Sequence, residues 1–362
     1  MAKRELLVKS PLRLCPFVSV CVVSSNFVCL TRPSPLTEKA KRFAVLHSPV
    51  EISRQSVYLE LMVAICIATH KRPVGLERLI TDLQALTFAR SAEPAIEIIV
   101  VDNDPARSAQ EQCATLARTS RWPLIYVSEP RRGISFARNA ALRTAQSRKA
   151  QLIAFIDDDE TPTPVWIEEL LAGMERYGAG VVAGPVLPMF EGPVAPWMVE
   201  GKFFERARSE TGSRRATVAT CNVLFRAKVL DEGVGSFDET LGLSGGEDSD
   251  FFLRVANAGY PIVWIDSAIV HEWNPPSRTR TAWILRRAFN VGNNWAGFRQ
   301  NLRPSARMAL RGLAKGLVLL PVSVLRGRHQ IVSSMELIAT GVGYIVGKSG
   351  LRFERYRKTD GR

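Results

Sequence analysis

From Met62 onward, short apolar runs alternate with amphipathic stretches of helical period, and no other feature constrains the fold as strongly. MVAICIA, IEIIVVD, LIYV and LIAFID read as strands. GLERLITDLQAL, RSAQEQCATLAR and ISFARNAALRTAQ, which lie between them, read as helices. PVWIEELLAGMERYG continues as a helix and VVAGPVLP as a strand. TVATCNVLF and PIVWID follow as strands, with DSDFFLRVANAG helical between them and a Trp- and Arg-rich helix over 280–299. This spacing predicts an α/β fold, an open and mostly parallel sheet with helices on both faces. In such sheets ligands bind beyond the carboxyl ends of the strands, where Thr69, Asp102 and Asp157–Asp159 fall. Residues 186–216, richer in Pro, Gly and charge, read as a loop over that site.

The acids at one of these strand ends pose a physical problem. LIAFIDDDETP runs from a buried strand straight into three aspartates and a glutamate. Packed carboxylates repel one another and resist desolvation, so either a cation offsets them or they face water. Asp157, Asp158 and Asp159 are hard oxygen ligands of the kind magnesium or manganese takes together with substrate phosphates. The plainer reading is a solvated turn that caps the next helix through Thr161 or Thr163. A second cluster, GLSGGEDSDFF, sets Glu247, Asp248 and Asp250 at a helix start behind Gly245 and Gly246. Acids there favour the helix dipole, but paired glycines also let the backbone pass close to a ligand. A carboxylate so held can serve as general base to an acceptor hydroxyl.

The series ATHKRP, VVDND, GISFARNAAL, FIDDDETP, CNVLFR, FDETLGLSGGEDSDFFLR and VHE, in this order, resembles the family 2 glycosyltransferases over roughly residues 62–300. The likeness is to bacterial exopolysaccharide enzymes of the succinoglycan glucosyltransferase type. It implies a GT-A fold, Rossmann-like, with a nucleotide-diphosphate sugar donor such as a UDP-hexose, Mg2+ or Mn2+, and inversion at the anomeric carbon. Position by position, it implies that Thr69 and Asp102 hold the nucleobase, with Asp104 an alternative because VDND departs from the commoner Asp-Asp-Gly-Ser. It places Arg138 by the nucleotide, Asp157 and Asp158 on the donor, and Asp159 on the metal. Asp248 becomes the catalytic base, with Glu247 orienting the acceptor, and His271 a further metal ligand. Arg286 and Arg287 are candidates to clamp the diphosphate, and Trp197 and Trp273 to stack on sugars; a solvated helix face and core packing are the plainer roles.

Charge adds a location. The net charge of +13 is divided as +5 over residues 1–61, −1 over 62–302 and +9 over 303–362. A near-neutral centre with basic, partly apolar ends suits a membrane surface rather than nucleic acid. GLVLLPVSVL and LIATGVGYIVG are runs of 10 and 11 apolar-rich residues, about half of a spanning length, flanked by Arg303, Arg307, Arg311, Lys315, Arg326 and Arg328. Three segments follow from this: an irregular extension 1–61, with Met62 as a native start, a GT-A domain over 62–300, and a basic helical tail over 301–362 lying in the membrane interface. The expected partners are the nucleotide sugar, a saccharide or polyprenyl-diphosphate-linked acceptor, and the cytoplasmic face of the plasma membrane, to which the chain attaches peripherally or monotopically. None of the six cysteines forms a CxxC pair, which points to reduced, buried thiols. Two other readings compete. A sugar-nucleotide nucleotidyltransferase needs a glycine-rich loop after the first strand, which ATHKRP lacks. A catalytically degenerate membrane-bound scaffold has no need of intact acidic clusters.

Overall fold

The computed structural model describes residues 61–230, 233–296 and 306–354. The expected extension, apart from Leu61, lies outside the described residues. The central sheet has seven strands in the order β3-β2-β1-β4-β8-β6-β9. They are β1 (Met62–Thr69), β2 (Ala95–Asp102), β3 (Leu124–Ser128), β4 (Leu152–Ile156), β6 (Val181–Ala183), β8 (Asn222–Arg226) and β9 (Ile262–Trp264). β8 alone runs antiparallel to both its neighbours, β4 and β6, and every other pairing is parallel.

Strict alternation along the strands feeds two cores. Val63, Ile65 and Ile67 of β1 face one side, with α1 (Pro73–Leu83) and α4 (Trp166–Arg176). Ala64 and Cys66 face the other, with α3 (Ile134–Ser147) and α6 (Glu247–Asn257). The short α2 (Gln110–Leu116) joins the first side through Cys113. This is the expected GT-A layout, helices on both faces of a mixed, mostly parallel sheet.

The stretch VVAGPVLP is two strands rather than one. After β6 the chain breaks at Gly184 and Pro185 and re-enters as β7 (Val186–Phe190) in a second sheet of order β5-β10-β7. A Cβ on Gly184 would lie 2.1 Å from the Ala268 carbonyl, so only glycine lets the chain turn there. β5 (Glu160–Pro162) begins directly after the acidic triplet and pairs antiparallel with β10 (Val270–Asn274). The span read as a loop therefore holds β7 and a one-turn helix, α5 (Pro196–Glu200).

The tail is longer in structure than its apolar runs. α8 (Ala306–Ser323) and α9 (Arg328–Lys348) form a hairpin, because the flanking basic residues continue the helices instead of ending them. Both helices are long and apolar enough to cross a membrane by length and composition. α9 packs along α7 (Thr281–Trp295) with its backbone almost in contact: a Cβ on Gly292 would lie 1.9 Å from the Thr340 carbonyl, and one on Gly343 2.1 Å from the Phe289 carbonyl. Small residues at such seams let helix backbones approach closely.

Candidate active site

Beyond the carboxyl ends of β1 and β4 lies a cavity of about 360 Å³, within the usual range for small-molecule sites. Both acidic clusters reach it: Asp157, Asp158 and Asp159 from the turn after β4, and Glu247 and Asp248 from the start of α6. The antiparallel run of β8 has a purpose here. Its register sets Asn222 against Ile156, so Thr220 and Cys221 arrive beside the acidic turn.

The cations that the triplet requires are present. Arg72, just after β1, donates to Asp158 Oδ1 and Asp159 Oδ2 at 2.9 Å each. Arg278 donates to the same Asp159 oxygen at 2.7 Å, and Thr69 Oγ1 donates to Asp158 Oδ2 at 2.8 Å. Burial pushes the Asp158 carboxyl up to about 6 against the pull of Arg72. Burial also pushes Asp159 upward, but Arg72 and Arg278 outweigh it and hold that carboxyl below its ordinary value. Arg138, 5% exposed, spans the two clusters, with Asp157 at 3.8 Å on one side and a close ion pair to Glu247 on the other.

The members of the second cluster are not equivalent. Glu247 is buried in its pair with Arg138, and Asp250 is buried and bonded to Arg254 at 3.0 Å. Asp248 is half-buried on the cavity wall and makes a local bond from the Ser249 amide at 2.7 Å. Gly245 and Gly246 have φ of 88° and 94°, a left-handed turn that delivers the helix start to the wall.

Several expected site residues are not brought there. Asp102 is fully buried and turned into its own loop, accepting from Ala109 N at 2.8 Å, Asp104 N at 3.1 Å and the Tyr126 hydroxyl at 3.2 Å. Asp104 is also buried and off the cavity wall, where Asn103 stands instead. His271 sits in the β10 ladder opposite Thr161 of β5. Successive strand residues face opposite sides, and Glu272 takes the cavity side, so His271 faces away from it. Arg286 and Arg287 are likewise off the wall; Arg287 donates to the Phe203 carbonyl at 2.9 Å. Trp197 packs on Phe203, and Trp273 Nε1 donates to Thr161 at 2.9 Å, and neither stands on the cavity wall.

Sequence reasoning missed Arg72, Arg206, Glu272 and Arg278. Arg72 stood inside the quoted ATHKRP, and its signal was the need for a counter-charge. The other three come together only through β10 and the long loop. Glu272 accepts from Arg206 at 2.8 Å and pairs with Arg278 at 3.4 Å. Arg206 also donates to Cys221 Sγ at 2.7 Å. Burial drives the Cys221 thiol well above its ordinary value, so it sits there as a neutral thiol. Cys66, Cys113 and Cys221 are all unpaired and buried, as expected for small apolar side chains.

The wall thus carries five arginines, Arg72, Arg132, Arg138, Arg206 and Arg278, against six carboxylates. A near-balanced wall of this kind suits a ligand of little net charge, such as a diphosphate neutralised by a divalent cation. Asp157 and Asp159 line that wall and offer hard oxygen donors that could hold such a cation. No cluster of three metal-ligating His, Cys, Asp or Glu side chains exists among the described residues.

The chain belongs to glycosyltransferase family 2. The Glycosyl transferase family 2 profile matches residues 64–234, and that of Glycosyl transferase family group 2 matches residues 152–346. The chain is similar to the succinoglycan biosynthesis protein ExoM of Rhizobium meliloti, 32% identical over 308 residues that cover 82% of this chain and 96% of that one. The glucosyl-dolichyl phosphate glucuronosyltransferase of Haloferax volcanii is 23% identical over 80% of this chain and 96% of its own. Among solved structures, residues 1–349 of S. aureus TarS in complex with UDP align over 83% of this chain and 95% of theirs, with TM-score 0.47 and 15% identity. The protein is therefore an enzyme, a glycosyltransferase, and the nucleotidyltransferase reading is set aside.

Proposed function

We propose that the enzyme transfers a hexose from a UDP-type donor, with inversion, to a saccharide or polyprenyl-diphosphate-linked acceptor during cell-surface polysaccharide synthesis. The observation that carries this is the convergence of the acidic triplet and Asp248 on one cavity, tied together by Arg138. The starts of α3 and α6 both reach the wall, and helix N-termini favour the anionic donor. Asp248, half-buried on the cavity wall, takes the proton of the attacking hydroxyl. Glu247 holds Arg138 in place, and Arg138 in turn steadies Asp157 beside the donor. Asp159 and Asp157 are the residues that would hold Mg2+ or Mn2+, which when bound would supply charge neutralisation for the departing diphosphate. The acceptor assignment is supported by the similarity to ExoM and to a dolichyl phosphate-directed enzyme, and by a basic apolar hairpin suited to the cytoplasmic membrane face.

Two variants test this reading together. Asp248→Asn should lower turnover by about 10²–10⁴ while UDP-sugar affinity, measured by calorimetry, is unchanged. Asp159→Asn should weaken binding of UDP-sugar in the presence of Mn2+ and leave binding in EDTA unaltered. Near-normal turnover in the first, or unchanged Mn2+ dependence in the second, would overturn the respective role.

A further inference from the structure

We infer that the α8–α9 hairpin rests side-on on an anionic bilayer as a monotopic platform and does not cross it; this refines the membrane attachment proposed above. Length and composition alone would let both helices span. The packing argues otherwise. α9 runs parallel to α7 along its whole length, from Val332 in one cluster with Ile284 to Gly347 against the Asn293 carbonyl. α7 carries Arg286, Arg287, Asn290, Asn293 and Asn294, and Asn294 reaches the active-site wall. A spanning α9 would drag those groups into hydrocarbon, where charged and amide side chains are costly. The α8–α9 turn is also tied to the catalytic domain: Arg328 lies over the Trp197 ring, and His329 is 3.3 Å from Glu200. A turn so held cannot lie on the far side of a membrane.

The side of the hairpin turned away from α7 is apolar and basic at once. Leu317 is 56% exposed, Val318 73%, Val322 45% and Leu325 89%, and Val342 and Ile345 of α9 extend this surface. Arg307, Arg311, Lys315 and Arg326 are interleaved with them and exposed, while Glu336 and Glu354 are the only acids over 306–354. Apolar side chains set among long cations match an acyl boundary beneath anionic headgroups, with the cations extending to the phosphates.

The test uses the full chain with vesicles of phosphatidylcholine alone or mixed with phosphatidylglycerol. Binding should require phosphatidylglycerol and weaken with salt. Val318→Asp should abolish it, and the R311E/K315E double variant should weaken it by more than about tenfold. In a V318W variant, quenching by lipids brominated near the headgroup should exceed quenching by lipids brominated near the acyl terminus. Stronger quenching from the deep bromines would establish a span and overturn the inference, as would binding insensitive to V318D. Self-association lost in V318D without vesicle binding would overturn it in favour of a second copy of this chain. Calorimetry with UDP-sugar, unchanged in every variant, separates failure of this surface from failure of the transferase reading.

Discussion

Arg138 reaches both Asp157, just after β4, and Glu247 of α6, the latter 109 residues on in the chain, and is almost inaccessible to water. Removing it would leave Glu247 buried without its counter-charge. Arg138→Met should therefore cost about 3–5 kcal/mol, read from the urea midpoint, in addition to any loss of activity. The motif FARN pointed to this residue, and the cavity contains it. Asp102 shows what a motif cannot convey. Its place at a strand end was legible, but the direction of its side chain depends on how 103–109 folds back, which periodicity does not encode. With three donors converging on it, Asp102→Asn should lower stability by about 1–3 kcal/mol and leave nucleobase preference unchanged. A switch in nucleotide preference without a change in stability would instead place it on the base.

At the scale of elements, long periodic segments were legible and short ones were not. β1 and β2, at eight residues each, and the helices α3, α4 and α6 follow directly from the pattern. β5 has three residues and carries no period of its own; it exists because β10 pairs with it. The division of VVAGPVLP depends on a collision between Gly184 and Ala268, two residues far apart in sequence. The same kind of contact binds α7 to α9. Gly292→Ala would put a methyl within 1.9 Å of the Thr340 carbonyl, and separating two packed backbones should cost about 1–3 kcal/mol or more, measurable as a lower Tm.

For the molecule as a whole, the charge partition divides a basic tail from a near-neutral centre, but charge does not encode how the two pack. The described residues instead form one compact unit, since α9 covers α7, whose last turn reaches the active site. Deleting residues 306–362 should therefore unfold or aggregate the catalytic domain, as judged by circular dichroism and light scattering, and not merely release it from vesicles.

The intervening helix also fixes a height. α9 stands between α8 on one face and α7 on another, and packed helices lie about 8–10 Å apart. With α8 and α9 both resting on the bilayer, α7 and the wall that Asn294 helps to form stand one interhelical spacing, about 8–10 Å, above the hairpin. On the proposed side-on attachment, an acceptor hydroxyl has to stand clear of the headgroups to meet the cavity, so kcat/KM should rise as the saccharide between lipid and hydroxyl lengthens.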